Sequence, residues 1–155
     1  MKRCMGRGGA LRAVVGTNIS VSGLITADGF PYQLLEAWRA GAFILLVAPP
    51  QREELERILK RPIFSQRYGL TEERIDYWLL LVAALGLSVR VRRRLPVHAR
   101  DRRDDHILAA ALGGHADYLV TGDEDILALD AHPRLKSLRI VRVTEFLELL
   151  SSQRN

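Results

Sequence analysis

Short apolar runs alternate along this chain with stretches that have helical spacing. The apolar runs have the length of strands buried in a parallel sheet, and they cover residues 12–15, 43–48, 88–92, 118–120 and 140–143. Stretches with helix boundary signals separate them, at residues 32–40, 51–61, 72–85, 104–112 and 145–150. This alternation predicts an α/β protein with a mostly parallel sheet of about five strands.

One domain, residues 11–150, accounts for this pattern and is long enough to enclose a hydrophobic core. The glycine-rich basic segment 1–10 is expected to be a disordered tail, and residues 151–155 a C-terminal tail. No apolar stretch has the length of a membrane span, and no signal peptide is visible. The single cysteine, Cys4, excludes an internal disulfide. These features favour a cytoplasmic protein with no membrane partner.

Positive charge is concentrated in one segment of the chain. The net charge is +5, and residues 90–103, RVRRRLPVHARDRR, contain seven Arg and one Asp and so carry +6. Such a strip fits binding to a polyanion such as RNA, with Arg92, Arg93 and Arg94 as candidate contacts. A solvated, arginine-rich edge explains the same charge equally well.

A cluster of carboxylates directly follows this strip. Asp101, Asp104 and Asp105 have the i, i+3, i+4 spacing of one helix face, and Asp123 follows the predicted strand 118–120. A helix start and a strand exit can meet at one edge of the sheet. Clustered carboxylates favour a bound cation, and ligands that are all oxygen indicate Mg²⁺ or Mn²⁺. Such a metal site beside a basic strip suggests phosphodiester hydrolysis.

Structural roles compete with the metal site for some of these acids. Asp104 and Asp125 could each be only a helix cap. Glu54, beside Glu53 and Glu56, has the ordinary pattern of a solvated helix face.

Four segments of the chain resemble the PIN domain, and in particular the PIN-family toxins of prokaryotic toxin–antitoxin systems. They are TNISVSGL, EELERILKRPIF, RDDHILAAALGGHADYLVTGDEDIL and RIVRVTEFLELL, and the resemblance covers roughly residues 11–150. It implies a three-layer α/β/α sandwich and an Mg²⁺- or Mn²⁺-dependent ribonuclease. It also implies a homodimer and a cognate antitoxin, which could cover apolar surface of helices 32–40 and 52–60.

The resemblance also assigns roles to particular residues. It implies that Glu54, Asp105 and Asp123 are the catalytic, metal-binding acids, with Asp125 as an auxiliary ligand. Asn18 and Thr121 match polar positions that line the family's site, and Asp104 and Gly16 are expected to lie beside them.

Gly16 departs from the family pattern. The family's first strand normally ends in Asp-Thr-Asn, whereas this chain reads Gly16-Thr17-Asn18. Glycine has no side chain to bind a metal, so one of four main carboxylates is missing and activity is expected to be impaired. A central strand 12–15 beside strand 118–120 would place residue 16 opposite Asp123.

Two other classes of function remain open at this point. A PIN-like scaffold that binds RNA or a protein without cleavage is favoured by Gly16. A receiver-like phosphotransfer protein would also have an acidic pocket with Mg²⁺. That class is disfavoured because the first strand is not followed by paired acids and Lys136 lies in a predicted loop.

Overall fold

A computed structural model describes residues 10–154, without the side chains of Arg103 and Arg154. The predicted disordered tail, apart from Ala10, lies outside the described residues. Five strands form one sheet in the order β3-β2-β1-β4-β5, and every neighbouring pair is parallel. The strands are β1 Arg12–Val15, β2 Ile44–Val47, β3 Leu87–Ser88, β4 Tyr118–Val120 and β5 Arg139–Val141.

Helices connect the strands and complete an α/β/α sandwich, which confirms the predicted fold class. They are α1 Thr17–Ile25, α2 Phe30–Arg39, α3 Pro49–Leu59, α4 Pro62–Tyr68, α5 Glu72–Leu85, α6 Asp105–Gly113, α7 Glu124–Leu127 and α8 Val143–Arg154. A 3-10 turn, Arg102–Asp104, leads directly into α6.

The core is divided by the sheet into two layers, because successive side chains of a strand point to opposite faces. In β1, Ala13 and Val15 belong to the layer that contains Leu24, Leu34 and Trp78. Val14, between them, joins the layer that contains Leu108 and Ala110 of α6. Burial on both faces explains why the strands are almost entirely apolar and do not alternate with polar residues.

The sheet changes direction at β1, since β2 lies on one side of it and β4 on the other. Ala13, Val14 and Val15 pair with Tyr118, Leu119 and Val120, so the two strands end at the same level. The expectation that strand 12–15 is central and lies beside strand 118–120 is therefore confirmed. In open α/β sheets, the crevice at such a switch point is the usual ligand site.

One element near this crevice differs from the sequence prediction. Helix α1 was not predicted, because its β-branched residues and Gly23 have low helix propensity. Its buried Ile19 and Leu24 stabilise it by packing. Gly23 is required there, since a Cβ at that position would lie 2.8 Å from the backbone oxygen of Pro31 in α2.

The edge of the sheet and the end of the chain also differ from the sequence prediction. Strand β3 ends at Ser88 instead of residue 92, because the chain leaves the sheet and Arg92 N donates to Ala109 O of α6 at 2.8 Å. Helix α4, which begins at Pro62 shortly after the end of α3, was not predicted. Helix α8 continues to Arg154, so residues 151–154 are helical and not a separate tail.

Candidate functional site

A polar pocket lies at the carboxyl edge of the sheet, between the ends of β1 and β4. It is lined by the starts of α1, α6 and α7 and by the middle of α3. Six of the residues predicted from sequence meet in its wall: Gly16, Asn18, Glu54, Asp104, Thr121 and Asp123. The prediction that the start of one helix and the exit of strand 118–120 meet at one edge of the sheet is therefore confirmed.

Asp105 does not line this pocket, and its expected placement needs correction. Its carboxylate accepts hydrogen bonds from Ala99 N at 2.7 Å, His98 Nδ1 at 2.6 Å and Arg102 Nε at 3.0 Å. Burial alone raises the pKa of the Asp105 carboxyl, but the bonds from His98 and Ala99 outweigh it and lower the pKa below its ordinary value. Asp105 thus fastens the loop before α6.

Asp104 takes the place in the pocket that had been expected for Asp105. Neighbouring residues at a helix start point in different directions, and the 3-10 turn directs Asp104 inward. Asp104 occupies the N-cap position of α6, yet its side chain makes no capping hydrogen bond within the described residues. A capping role therefore does not account for this carboxylate.

Asp123 is held by the turn that follows β4. Its backbone N–H donates to Thr121 Oγ1 at 3.1 Å, and its Oδ1 accepts from Asp125 N at 2.8 Å, which caps α7. Asp123, and not Asp125, is therefore the cap of this short helix. The Asp125 carboxylate is outside the pocket wall and lies 4.0 Å from Arg100 Nη1.

Glu54 reaches the pocket from α3 and is fixed through one oxygen. Its Oε1 accepts from Thr17 Oγ1 at 2.8 Å and lies 3.3 Å from His106 Nε2. His106 lines the pocket but was missed in the sequence. The available signal was its position in DDHI, two residues after an acid at a helix start.

The backbone at Gly16 has the geometry of an ordinary residue. Its φ and ψ are −58° and 145°, and its N–H donates to Val120 O at 2.8 Å. A Cβ there would lie 3.5 Å from Val120 O and 3.6 Å from Thr121 Oγ1, which are normal contacts. The conformational freedom of glycine is not needed, so a residue with a Cβ, such as aspartate, can take this position without backbone strain.

The predicted RNA-contacting residues Arg92, Arg93 and Arg94 are exposed but are not part of the pocket wall. The backbone of Arg92 lies against α6, because its N–H donates to Ala109 O. Arg100 and Arg102 are also exposed and lie beside Asp125 and Asp105, next to the pocket acids. The basic segment therefore extends from the outer side of α6 towards the pocket.

The pocket offers the donor types that bind a hard cation. Three carboxylates, together with the oxygens of Asn18 and Thr121, suit Mg²⁺ or Mn²⁺. Across residues 10–154, however, no group of three His, Cys, Asp or Glu side chains is arranged to hold a metal directly. The donor chemistry fits such an ion, while the complete set of direct ligands is not formed.

Two comparisons with known proteins bear on this site. The sequence profile of the PIN domain matches residues 12–125, which include every pocket residue named above. No curated protein matches the chain. Among the helices in the described part of the chain, none is long and apolar enough to cross a membrane.

Proposed function

The chain belongs to the PIN domain family, whose members are generally nucleases, and from this premise we propose a metal-dependent endoribonuclease site that is impaired by Gly16. We further propose that the protein is the toxin of a toxin–antitoxin pair. One observation carries the nuclease proposal: Glu54, Asp104 and Asp123 meet around Gly16 in one pocket at the switch point of the sheet.

In this proposal Glu54, Asp104 and Asp123 hold Mg²⁺ or Mn²⁺, directly or through water. When bound, the metal lowers the pKa of water and stabilises charge on the scissile phosphate. The protein's own contribution is placement. Thr17 fixes Glu54, and the turn from Thr121 to Asp125 fixes Asp123. Small displacements of reacting groups are costly, so these supports matter to the rate.

Gly16 is proposed to impair the site by removing negative charge without disturbing its frame. Both strand exits keep their hydrogen bonds, and residue 16 still contacts the end of β4. A metal would therefore meet three carboxylates instead of four, and its position would be less restricted. The same feature supports the second candidate function, a PIN scaffold that binds RNA or protein without cleavage.

RNA is the proposed substrate, and the charge distribution supports this choice. The exposed arginines of segment 92–102 include Arg100 and Arg102, which contact Asp125 and Asp105, acids that lie within two residues of the pocket acids Asp123 and Asp104. A cationic path that leads to an acidic metal site suits a polyanion whose phosphate is to be placed on the metal.

The proposed protein partners would bind apolar surface outside the pocket. Helices α2 and α3, where an antitoxin is proposed to bind, keep Leu34, Trp38, Leu55 and Leu59 in the core, while Phe30 of α2 is 52% exposed. The outer side of α5 and the edge strand β3 expose further apolar residues. They are Tyr77, Leu80, Leu85 and Leu87, with Leu80 67% exposed. We assign the proposed homodimer to this face, and Leu80→Glu is expected to yield monomers in sedimentation experiments.

The proposed function is tested by restoring the acid. Purified Gly16→Asp protein is incubated with a panel of single-stranded RNAs and Mn²⁺, and the unmodified chain is treated in parallel. Cleavage by Gly16→Asp should exceed that of the unmodified chain by about 100-fold or more. The double variant Gly16→Asp/Asp104→Asn controls for contaminating nuclease. If the restored protein cuts no better than this control, the binding scaffold becomes the better account.

A further inference from the structure

His106 has no role in the function proposed so far, although it is part of the pocket wall. It lies in the first turn of α6, two residues after Asp104, and its side chain is 33% exposed. Its Nε2 lies 3.3 Å from Glu54 Oε1. Because an ionised carboxylate oxygen only accepts hydrogen bonds, Nε2 is the donor in this contact.

Thr17 donates to the same oxygen of Glu54 from a different element. Thr17 opens α1, Glu54 lies in α3, and His106 lies in α6, so three helices meet at Glu54 Oε1. A glutamate side chain is long and flexible, and two donors on one oxygen restrict its rotation. The lone pairs of the other oxygen, Oε2, are then the ones available to a cation in the pocket.

We propose that His106 is a positioning residue, which together with Thr17 fixes Glu54 so that Oε2 faces the metal. This inference rests on the metal site of the proposed function. Outer hydrogen bonds to metal-binding carboxylates and imidazoles commonly set their orientation and affinity. In this chain the support has added importance, because Gly16 leaves fewer carboxylates to define the site.

The test measures Mn²⁺ affinity by calorimetry in the Gly16→Asp background, where the added carboxylate is expected to strengthen binding. His106→Ala should weaken Mn²⁺ binding by about 10-fold. His106→Gln keeps an N–H donor at similar reach and should remain within about threefold of its parent. Thr17→Val removes the second donor and should weaken binding as His106→Ala does. Thermal melts verify that each variant is folded, and Thr17→Val and His106→Gln keep the test decisive if His106→Ala does not fold.

Pulsed electron paramagnetic resonance of bound Mn²⁺ separates positioning from direct ligation. No nitrogen coupling from imidazole is expected in the parent protein. Such coupling, or equal weakening in His106→Ala and His106→Gln, would overturn the positioning role in favour of a direct ligand. Unchanged or tighter binding in His106→Ala would overturn it as well. If the Gly16→Asp protein itself binds no Mn²⁺, the metal site of the proposed function fails together with this inference.

Discussion

The ends of β1 and β4 lie side by side, yet they bring different chemistry to the pocket. After β4, Asp123 carries a carboxylate whose position is set by Thr121 and by Asp125 N. After β1, Gly16 carries no side chain, although its N–H bonds to Val120 O and its carbonyl accepts from Ile19 N and Ser20 N at the start of α1. Both exits have an ordered backbone, and only one supplies charge.

This difference shows that the frame of the site does not depend on its full set of acids. Strand pairing and helix starts hold the backbone around residue 16, and a Cβ there would make only normal contacts. The missing carboxylate is therefore a loss of chemistry and not of fold. Four sets of variants test how far the two strand exits differ.

The largest effect is expected at Asp104, the pocket acid that directly precedes α6. In the Gly16→Asp background, Asp104→Asn should lower the cleavage rate by about 100-fold or more, because a pocket carboxylate is lost. Asp105→Asn should retain much more activity, since Asp105 fastens the 98–102 loop and does not line the pocket. Single-turnover cleavage of one RNA measures both. A greater loss for Asp105→Asn would return Asp105 to the metal site.

The next effect concerns metal affinity at the β1 exit. Gly16→Asp should tighten Mn²⁺ binding by at least about 10-fold, because it adds a charged oxygen ligand. Gly16→Asn has nearly the same shape without the charge and is the matched control. Calorimetry on the three proteins gives the comparison. Equal affinities would show that residue 16 is not part of the site and that the two exits are not equivalent.

A smaller effect is expected for RNA binding. Replacing Arg92, Arg93 and Arg94 by Ala should weaken binding to single-stranded RNA several-fold. The slope of the logarithm of the binding constant against the logarithm of salt concentration should fall in magnitude by up to about 2, since each lost phosphate contact removes counterion release. The matched control replaces Arg61, Arg67 and Arg74, which are exposed on or beside α4 and α5. If both triple variants change the slope equally, the basic strip is only a solvated edge.

The smallest effect is expected on stability, at Asp130, whose hydrogen bonds hold β5 next to β4. Asp130 accepts from Arg139 Nε at 2.9 Å, from Arg139 Nη2 at 3.0 Å and from Ile140 N at 2.9 Å. The Arg139 bonds come first among the causes that lower the pKa of Asp130 below its ordinary value of 3.8. Asp130→Asn should reduce the free energy of unfolding by about 1 kcal/mol, because Arg139 is half-exposed and the ion pair is screened.

The pH dependence of this effect follows from the lowered pKa. The ionised carboxylate stabilises the folded state above the ordinary pKa of 3.8, and this contribution is lost as the pH falls through the lowered value. Urea unfolding at several pH values should therefore show a constant difference between Asp130→Asn and its parent from pH 5 to 7. The difference should decrease below about pH 4. A difference that persists at low pH would assign the effect to packing.

Local sequence was sufficient for much of the fold. All five strands were predicted within a few residues, because strands buried on both faces are short apolar runs bounded by turn residues. The pairing of strand 12–15 with strand 118–120 was also predicted, and with it the pocket that contains Gly16 and Asp123. The absence of an acid at residue 16 can be seen in the sequence alone.

The tertiary structure decided which neighbouring side chains enter the pocket. Asp104 and Asp105 are adjacent, and the choice between them depends on the 3-10 turn and on the bonds that Ala99, His98 and Arg102 make to Asp105. The contact of His106 with Glu54 joins residues that are 52 positions apart. Periodicity along a chain reports which face of an element is buried, but the rotation at a helix start is set by contacts with distant segments, which a local pattern does not contain.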